Sequence, residues 1–142
     1  MKNLKWIFQI QKFQNLKDDI YQGELITEEI LKKFENDNKI NLLSFRDIIE
    51  QNILHVPVDA LSFSAVDSLI KMNYAQELID VCDDSNMTPI HIADINFDLH
   101  IYDLLIHLGP NKNIKDKEGK TCIDYLREND DVEVPKQYLR NE

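Results

Sequence analysis

Asp83-Asp84-Ser85-Asn86-Met87-Thr88-Pro89-Ile90-His91-Ile92-Ala93 is the stretch whose reading decides the fold. It returns in altered form as Asp116-Lys117-Glu118-Gly119-Lys120-Thr121-Cys122-Ile123-Asp124-Tyr125-Leu126, which sets Thr121 in the place of Thr88 at an offset of 33 along the chain. In the first copy Asp83 and Asn86 predict a turn, Thr88 a helix N-cap and Pro89 the first helical position, where a missing N–H costs nothing. A short helix then runs to about Asn96–Asp98. Leu99 to Leu108 carries apolar residues at Ile101, Leu104, Leu105 and Leu108, the spacing of a helix buried on one side. Gly109 is read as its C-cap, and Pro110 prevents continuation. Asn111 to Gly119 is polar and turn-forming, long enough for an outstretched hairpin into the next copy.

A period of about 33 residues with this grammar resembles the ankyrin repeat family. The resemblance covers a turn, a start like the family's TPLH motif, two helices and a polar exit, and it runs without a gap from Asp83 to Asp116. The second copy departs from it, with Cys122 in place of Pro and Asp124 in place of His. The family's His at that place bridges the turns of adjacent repeats, which is the role implied for His91 and, upstream, for His55. The resemblance implies an all-α fold: an ankyrin-type helical solenoid of about three repeats, with a divergent N-terminal helical cap and a short C-terminal capping helix.

Outward from the best-formed repeat (83–115), the pattern is less regular. A terminal repeat and cap (116–142) are expected to end in a shortened helix at Val134 to Leu139. Asn52-Ile53-Leu54-His55-Val56 reads as another repeat start, at an offset of 36 from its counterpart, and opens a divergent repeat (52–82). There Ala60–Met72 is expected as a first helix and Tyr74–Cys82 as a second. Within residues 1–51, a cap or degenerate repeat, Thr27 heads a capping-box-like helix whose apolar stripe begins at Ile30 and Leu31. Asn41–Gln51, with Leu42, Leu43, Phe45, Ile48 and Ile49, reads as a further amphipathic helix. Trp6, Ile7, Phe8, Ile10 and Phe13 form an apolar segment expected to cover the end of the stack, against the alternative of a partner-docking peptide.

The 142 residues fit one domain, 43% hydrophobic and 30% charged, the composition of an ordered globular chain. No apolar run approaches the roughly 20 residues of a membrane span. Gln9, Gln11 and Lys12 interrupt the N-terminal apolar region, and no small-residue cleavage site follows, so a signal peptide is not expected. Cys82 and Cys122 read as small buried apolar residues in a reducing compartment, which favours the cytoplasm, or a host cytosol for a viral or symbiont protein. The net charge of −10 disfavours nucleic acid, whose phosphates need clustered Lys and Arg, and suits a basic protein partner, although solubility alone also accounts for it.

Chemistry is sparse in the sequence. Gly23, Gly109 and Gly119 stand singly, so no phosphate-cradling loop is present, and Asp83 to Asn86 lacks the distal Glu of a calcium loop. His100 and His107 have no His or Cys one helical turn away, so zinc is not expected. No catalytic residues, cofactor or metal are assigned, and no enzymatic activity is expected. What the resemblance implies instead is protein binding through a concave face. Its contact positions fall at Asp84, Ser85, Met87, Ile95 and Asn96 in one repeat and at Lys117, Glu118, Lys120, Glu128 and Asn129 in the next. The expected role is an adaptor or scaffold, monomeric when free. The alternative is an acidic inhibitor, such as an immunity protein for a basic toxin or effector enzyme. Glu128 to Glu133 is the densest charge cluster, read as a solvated loop or an acidic docking surface.

Overall fold

The computed structural model describes residues 3–129 and 134–139, and every described regular element is helical. The helices are α1 (Leu4–Tyr21), α2 (Glu28–Asn38), α3 (His55–Asp59), α4 (Phe63–Lys71), α5 (Tyr74–Leu78), α6 (Pro89–Ile95), α7 (Leu99–Ile106) and α8 (Cys122–Glu128), followed by a 3-10 turn at Lys136–Leu139. They lie in two layers. In one, α1, α3, α6 and α8 pack in succession; in the other, α2, α4 and α7 do the same. The core between them is continuous: Leu31, Ile53, Leu54, Val56, Leu69, Ile90, Tyr102, Leu105 and Ile123 are all buried. Each such aliphatic side chain contributes roughly 1.5–3 kcal/mol through apolar area removed from water. At the C-terminal end Tyr138 sets its ring edge-on to Tyr102, centroids 4.8 Å apart, and donates its O–H to Asp103.

Polar side chains decide where these short helices begin. Asn3, Thr27, Ser62, Asp98 and Thr121 each accept a backbone N–H from the first turn of the helix that follows. Substituting such a cap with Ala costs about 1 kcal/mol. Between helices one turn recurs three times. Asp47, Asp83 and Asp116 each donate their own N–H four residues on, to the carbonyls of Gln51, Met87 and Lys120 at 2.9–3.1 Å. Each carboxylate accepts two further N–H groups: Ile49 and Gln51, Ser85 and Met87, Glu118 and Lys120. The residue three places on from each Asp has positive φ: Glu50 at 61°, Asn86 at 58° and Gly119 at 77°.

The structure corrects several sequence expectations. Asn41–Gln51 is not a helix: after one turn, in which the Phe45 N–H reaches the Asn41 carbonyl, the Asp47 carboxylate takes the N–H groups of Ile49 and Gln51, which a helix would have given to the carbonyls of Phe45 and Asp47. Ile48 is 71% exposed there, its helical spacing coincidental. The first helix of this repeat lies earlier than expected, as α3, and the spans expected at Ala60–Met72 and Tyr74–Cys82 shorten to α4 and α5, because Leu61 and Asn73 adopt left-handed backbone and Ser62 caps a new start. α7 ends at Ile106, and Gly109 follows two residues beyond its C-cap His107. Ile30 points outward while Leu31 is buried. The N-terminal apolar segment divides: Phe13 is buried and Trp6 and Ile10 pack on the core, but Leu4, Ile7 and Phe8 are exposed. Cys122 is buried as expected, whereas Cys82 is only half-buried.

The loose register upstream now has a location. Asp47, His55, Ser62 and Asn73 match Asp83, His91, Asp98 and Gly109 at a constant offset of 36, and the last two share left-handed φ of 63° and 68°. From Asp83 to Asp116 the offset is 33. The extra length therefore lies between Asn73 and Asp83, where α5 occupies the chain.

Candidate functional site

The three turns are joined edge to edge. The Asp84 N–H donates to the Ile49 carbonyl at 3.0 Å, and the Lys117 N–H to the Ser85 carbonyl at 3.1 Å. Buried histidines hold the row from behind. His55 Nδ1 accepts the Asn52 N–H while Nε2 reaches the Met87 carbonyl at 3.0 Å; His91 accepts from Thr88 and reaches the Lys120 carbonyl at 3.1 Å. Each ring thus fastens its own helix start to the next turn, the bridging role expected of both residues. The arrangement requires the neutral tautomer with its proton on Nε2. Burial pushes the His55 pKa below its ordinary value, against the pull of the Met87 carbonyl. In the last turn Asp124 takes the place of His and accepts the Thr121 N–H at 2.9 Å, which holds its carboxyl below the usual range.

The ten residues expected to contact a partner divide accordingly. Asp84, Ser85, Lys117 and Glu118 are exposed at the tips of adjacent turns, and half-buried Met87 closes the middle one. Lys120 lies between Glu128 at 3.1 Å and Glu118 at 3.9 Å, with its ammonium 5.2 Å from the centre of the Tyr125 ring. The hydrogen bond to Glu128, with its charge and those of Glu118 and Asp116, raises the Lys120 pKa. Lys120 and Glu128 span the short α8, so Met87 and Ile95, their counterparts one repeat earlier, take the corresponding line on α6. Asn96 departs from the group: its amide donates to Asp59 at 2.8 Å, at the turn between helices. Asn129 caps α8 and is half-buried. Within the Glu128–Glu133 cluster, Asp130 to Glu133 lie outside the described residues.

Sequence reasoning missed the third turn, whose Ile48, Ile49 and Glu50 are exposed at the end of the tip row. The available signal was Asn52–His55 matching Thr88–His91, with Asp47 matching Asp83 at the same offset. Tyr125 was also missed. It donates its O–H to Asp116, whose carboxyl burial would raise; this bond and the N–H groups of Lys120 and Glu118 bring it below the ordinary range.

Behind the tips lies a buried polar cluster. Asp94 of α6 is fully buried, and among the described residues no N–H or O–H group donates to either of its oxygens; the Tyr102 hydroxyl of α7 is likewise buried without a partner among them. Burial pushes the Asp94 carboxyl up to about 8, only partly offset by the Cys122 thiol and the Lys112 charge. Burial and Asp94 likewise drive the Cys122 thiol upward, away from the thiolate. No group of three or more His, Cys, Asp or Glu among the described residues is placed to hold a metal, and no described helix is long and apolar enough to cross a membrane.

What fold and site together define is an all-helical chain that presents a row of three hydrogen-bonded turn tips. No protein-family model matches it, and no curated protein matches it either.

Proposed function

We propose that this chain is an ankyrin-type solenoid and a non-catalytic binding module, an adaptor or scaffold that docks a partner protein on its turn tips and the adjoining faces of α6 and α8. The observation that carries the reading is the threefold turn at Asp47, Asp83 and Asp116, joined tip to tip through Ile49, Asp84, Ser85 and Lys117. Main-chain bonds hold the tips, so their side chains can meet a partner with little further loss of freedom. The face mixes Asp84, Glu118 and Glu128 with Lys117, Lys120 and the apolar Met87 and Ile95, which suits an Arg or aromatic anchor on a basic protein. The −10 charge also fits the narrower role of an acidic inhibitor of a basic toxin or effector. A toxin gene beside this one would favour the inhibitor, and an unrelated neighbourhood the adaptor.

The test is capture of the partner on the tagged chain from its native organism, identification by mass spectrometry, and titration of the purified pair. The doubly charge-reversed variant Glu118→Lys/Glu128→Lys should bind more weakly while keeping its helical circular dichroism, and binding should weaken with salt. Unchanged affinity with intact helicity would remove the tip face from the function.

A further inference from the structure

The edge of the molecule where the helices of each pair turn back on one another forms a second surface. Because α1, α3 and α6 are neighbours in one layer and α2, α4 and α7 in the other, the connections 22–27, 60–62 and 96–98 run side by side. They are tied across their length: Tyr21, the last residue of α1, donates its hydroxyl to Asp59 at 2.5 Å, and Asn96 donates to the other Asp59 oxygen at 2.8 Å. Each connection carries two large side chains in solvent. Tyr21 is 49% exposed and Leu25 70%, Leu61 46% and Phe63 50%, Ile95 41% and Leu99 43%. The rungs repeat, since Phe63 and Leu99 each follow a capping residue, Ser62 and Asp98, at the first position of their helices.

Within the three connecting segments the charged carboxylates face no Lys or Arg of their own. Residues 21–28, 59–64 and 95–100 hold Glu24, Glu28, Asp59 and Asp98 and neither Lys nor Arg. The cavity beside the first rung, about 210 Å³ and bounded by Leu25, Thr27, Ser64 and Ser68, adds Asp67 and its ion-pair partner Lys71 at 2.9 Å. Neighbouring packed helices lie about 8–10 Å apart, which sets the spacing of the rungs. A helix advances about 10.5 Å in seven residues, so one apolar residue per heptad can meet each rung in turn.

We infer that this edge is a docking surface for a basic amphipathic helix of a partner protein, lying across the three connections with its apolar stripe on Leu25, Leu61, Phe63 and Leu99 and its Lys and Arg residues against the flanking carboxylates. It shares Ile95, the last residue of α6, with the face proposed above and none of its other residues, so either surface can fail without the other. Contiguous apolar side chains with a charged rim mark such sites, and the acidic rim selects a basic occupant. The same rim disfavours an anionic membrane surface.

The probe is a synthetic helical peptide of three Leu-Lys-Lys-Ala-Leu-Lys-Ala heptads, titrated into the isotopically labelled full chain and followed by amide chemical shifts. The expected result is saturable binding that weakens with salt, with shifts confined to residues 22–28, 60–64 and 95–100. Phe63→Ser/Leu99→Ser should weaken it about tenfold. Should that variant lose helicity, Glu24→Lys, an exposed change outside the core, should still weaken it severalfold. Four results would each overturn the inference: no binding at millimolar peptide, equal binding of the peptide with Glu for every Lys, shifts centred on Asp84, Ser85 and Glu118, or concentration-dependent shifts of Phe63 and Leu99 in the free chain, which would make the occupant a second copy.

Discussion

Asp94→Asn should stabilise the protein, and increasingly so as pH rises. The carboxyl is buried between Tyr102 of α7, Cys122 of α8 and Lys112, and its folded pKa is about 8 against 3.8 for the free side chain. An acid with a raised folded pKa binds more protons in the folded state, so stability falls with pH between the two values. Below pH 4 both states hold the proton and Asp94 contributes no pH-dependent term. Each unit above that costs about 1.4 kcal/mol until the folded carboxyl itself ionises. Between pH 4.5 and 7 the wild type should therefore lose about 3 kcal/mol relative to Asp94→Asn, since the neutral amide occupies nearly the volume of the protonated acid. The assay is urea unfolding of both proteins at half-unit pH steps from 4.5 to 8, read by far-UV circular dichroism. The difference between the two curves isolates Asp94 from every other titrating group. A constant difference across the range would refute the reasoning, because it would mean that Asp94 is ionised in the fold and paired with Lys112.

His55 works in the opposite direction: burial lowers its folded pKa, so the stability it contributes is fully present above about pH 6.5 and is lost as pH falls through that value. His55→Gln should flatten this acid limb in the same unfolding series, and nitrogen shifts of the wild-type ring should report an Nε2–H tautomer at pH 7. Glu50→Gly should raise stability by about 0.5–1 kcal/mol, because a side chain at φ 61° stands where the last turn has glycine at 77°; a lower melting temperature would show that Glu50 makes a contact worth more than the strain. Asp83→Ala should cost roughly 1–3 kcal/mol by freeing the N–H groups of Ser85 and Met87, and hydrogen exchange at those two amides should accelerate more than at Leu105.

The repeat between Asp83 and Asp116 was legible because its signals are local: an Asp that folds the chain back onto itself, a Thr cap, a Pro at the first helical position, and a second copy in register behind it. The N-terminal half obeys the same physics with different residues. Asn52 does the work of Thr88, Glu50 occupies the left-handed position of Asn86 and Gly119, and α5 lengthens the spacing from an offset of 33 to one of 36. Apolar spacing over Leu42, Phe45 and Ile49 then suggested a helix, since periodicity records side-chain identity and takes no account of a carboxylate capturing backbone N–H groups. The candidate surface was legible in the same proportion. Tip positions followed from the repeat, whereas the Asn96–Asp59 and Tyr21–Asp59 bonds join residues 37 and 38 apart in sequence, and no local pattern announces them.

The net charge of −10 overstates what a partner meets. Asp47, Asp83 and Asp116 each bind two backbone N–H groups, Asp98 and Asp124 hold helix starts, and Glu35 accepts the Leu42 N–H and the Tyr74 hydroxyl. These carboxylates serve the fold and are already solvated by it, so exchanging them would disturb stability before it disturbed recognition. Glu118 and Glu128 are partly neutralised by Lys120. Asp84 at the tips and Glu24 on the helix-turn edge accept no hydrogen bond among the described residues and stand in solvent, free to answer a cation. Salt dependence and charge reversal at these two residues therefore separate the two surfaces more cleanly than any change in overall charge. Weakening by Asp84→Lys alone assigns a partner to the tips, and weakening by Glu24→Lys alone assigns it to the edge.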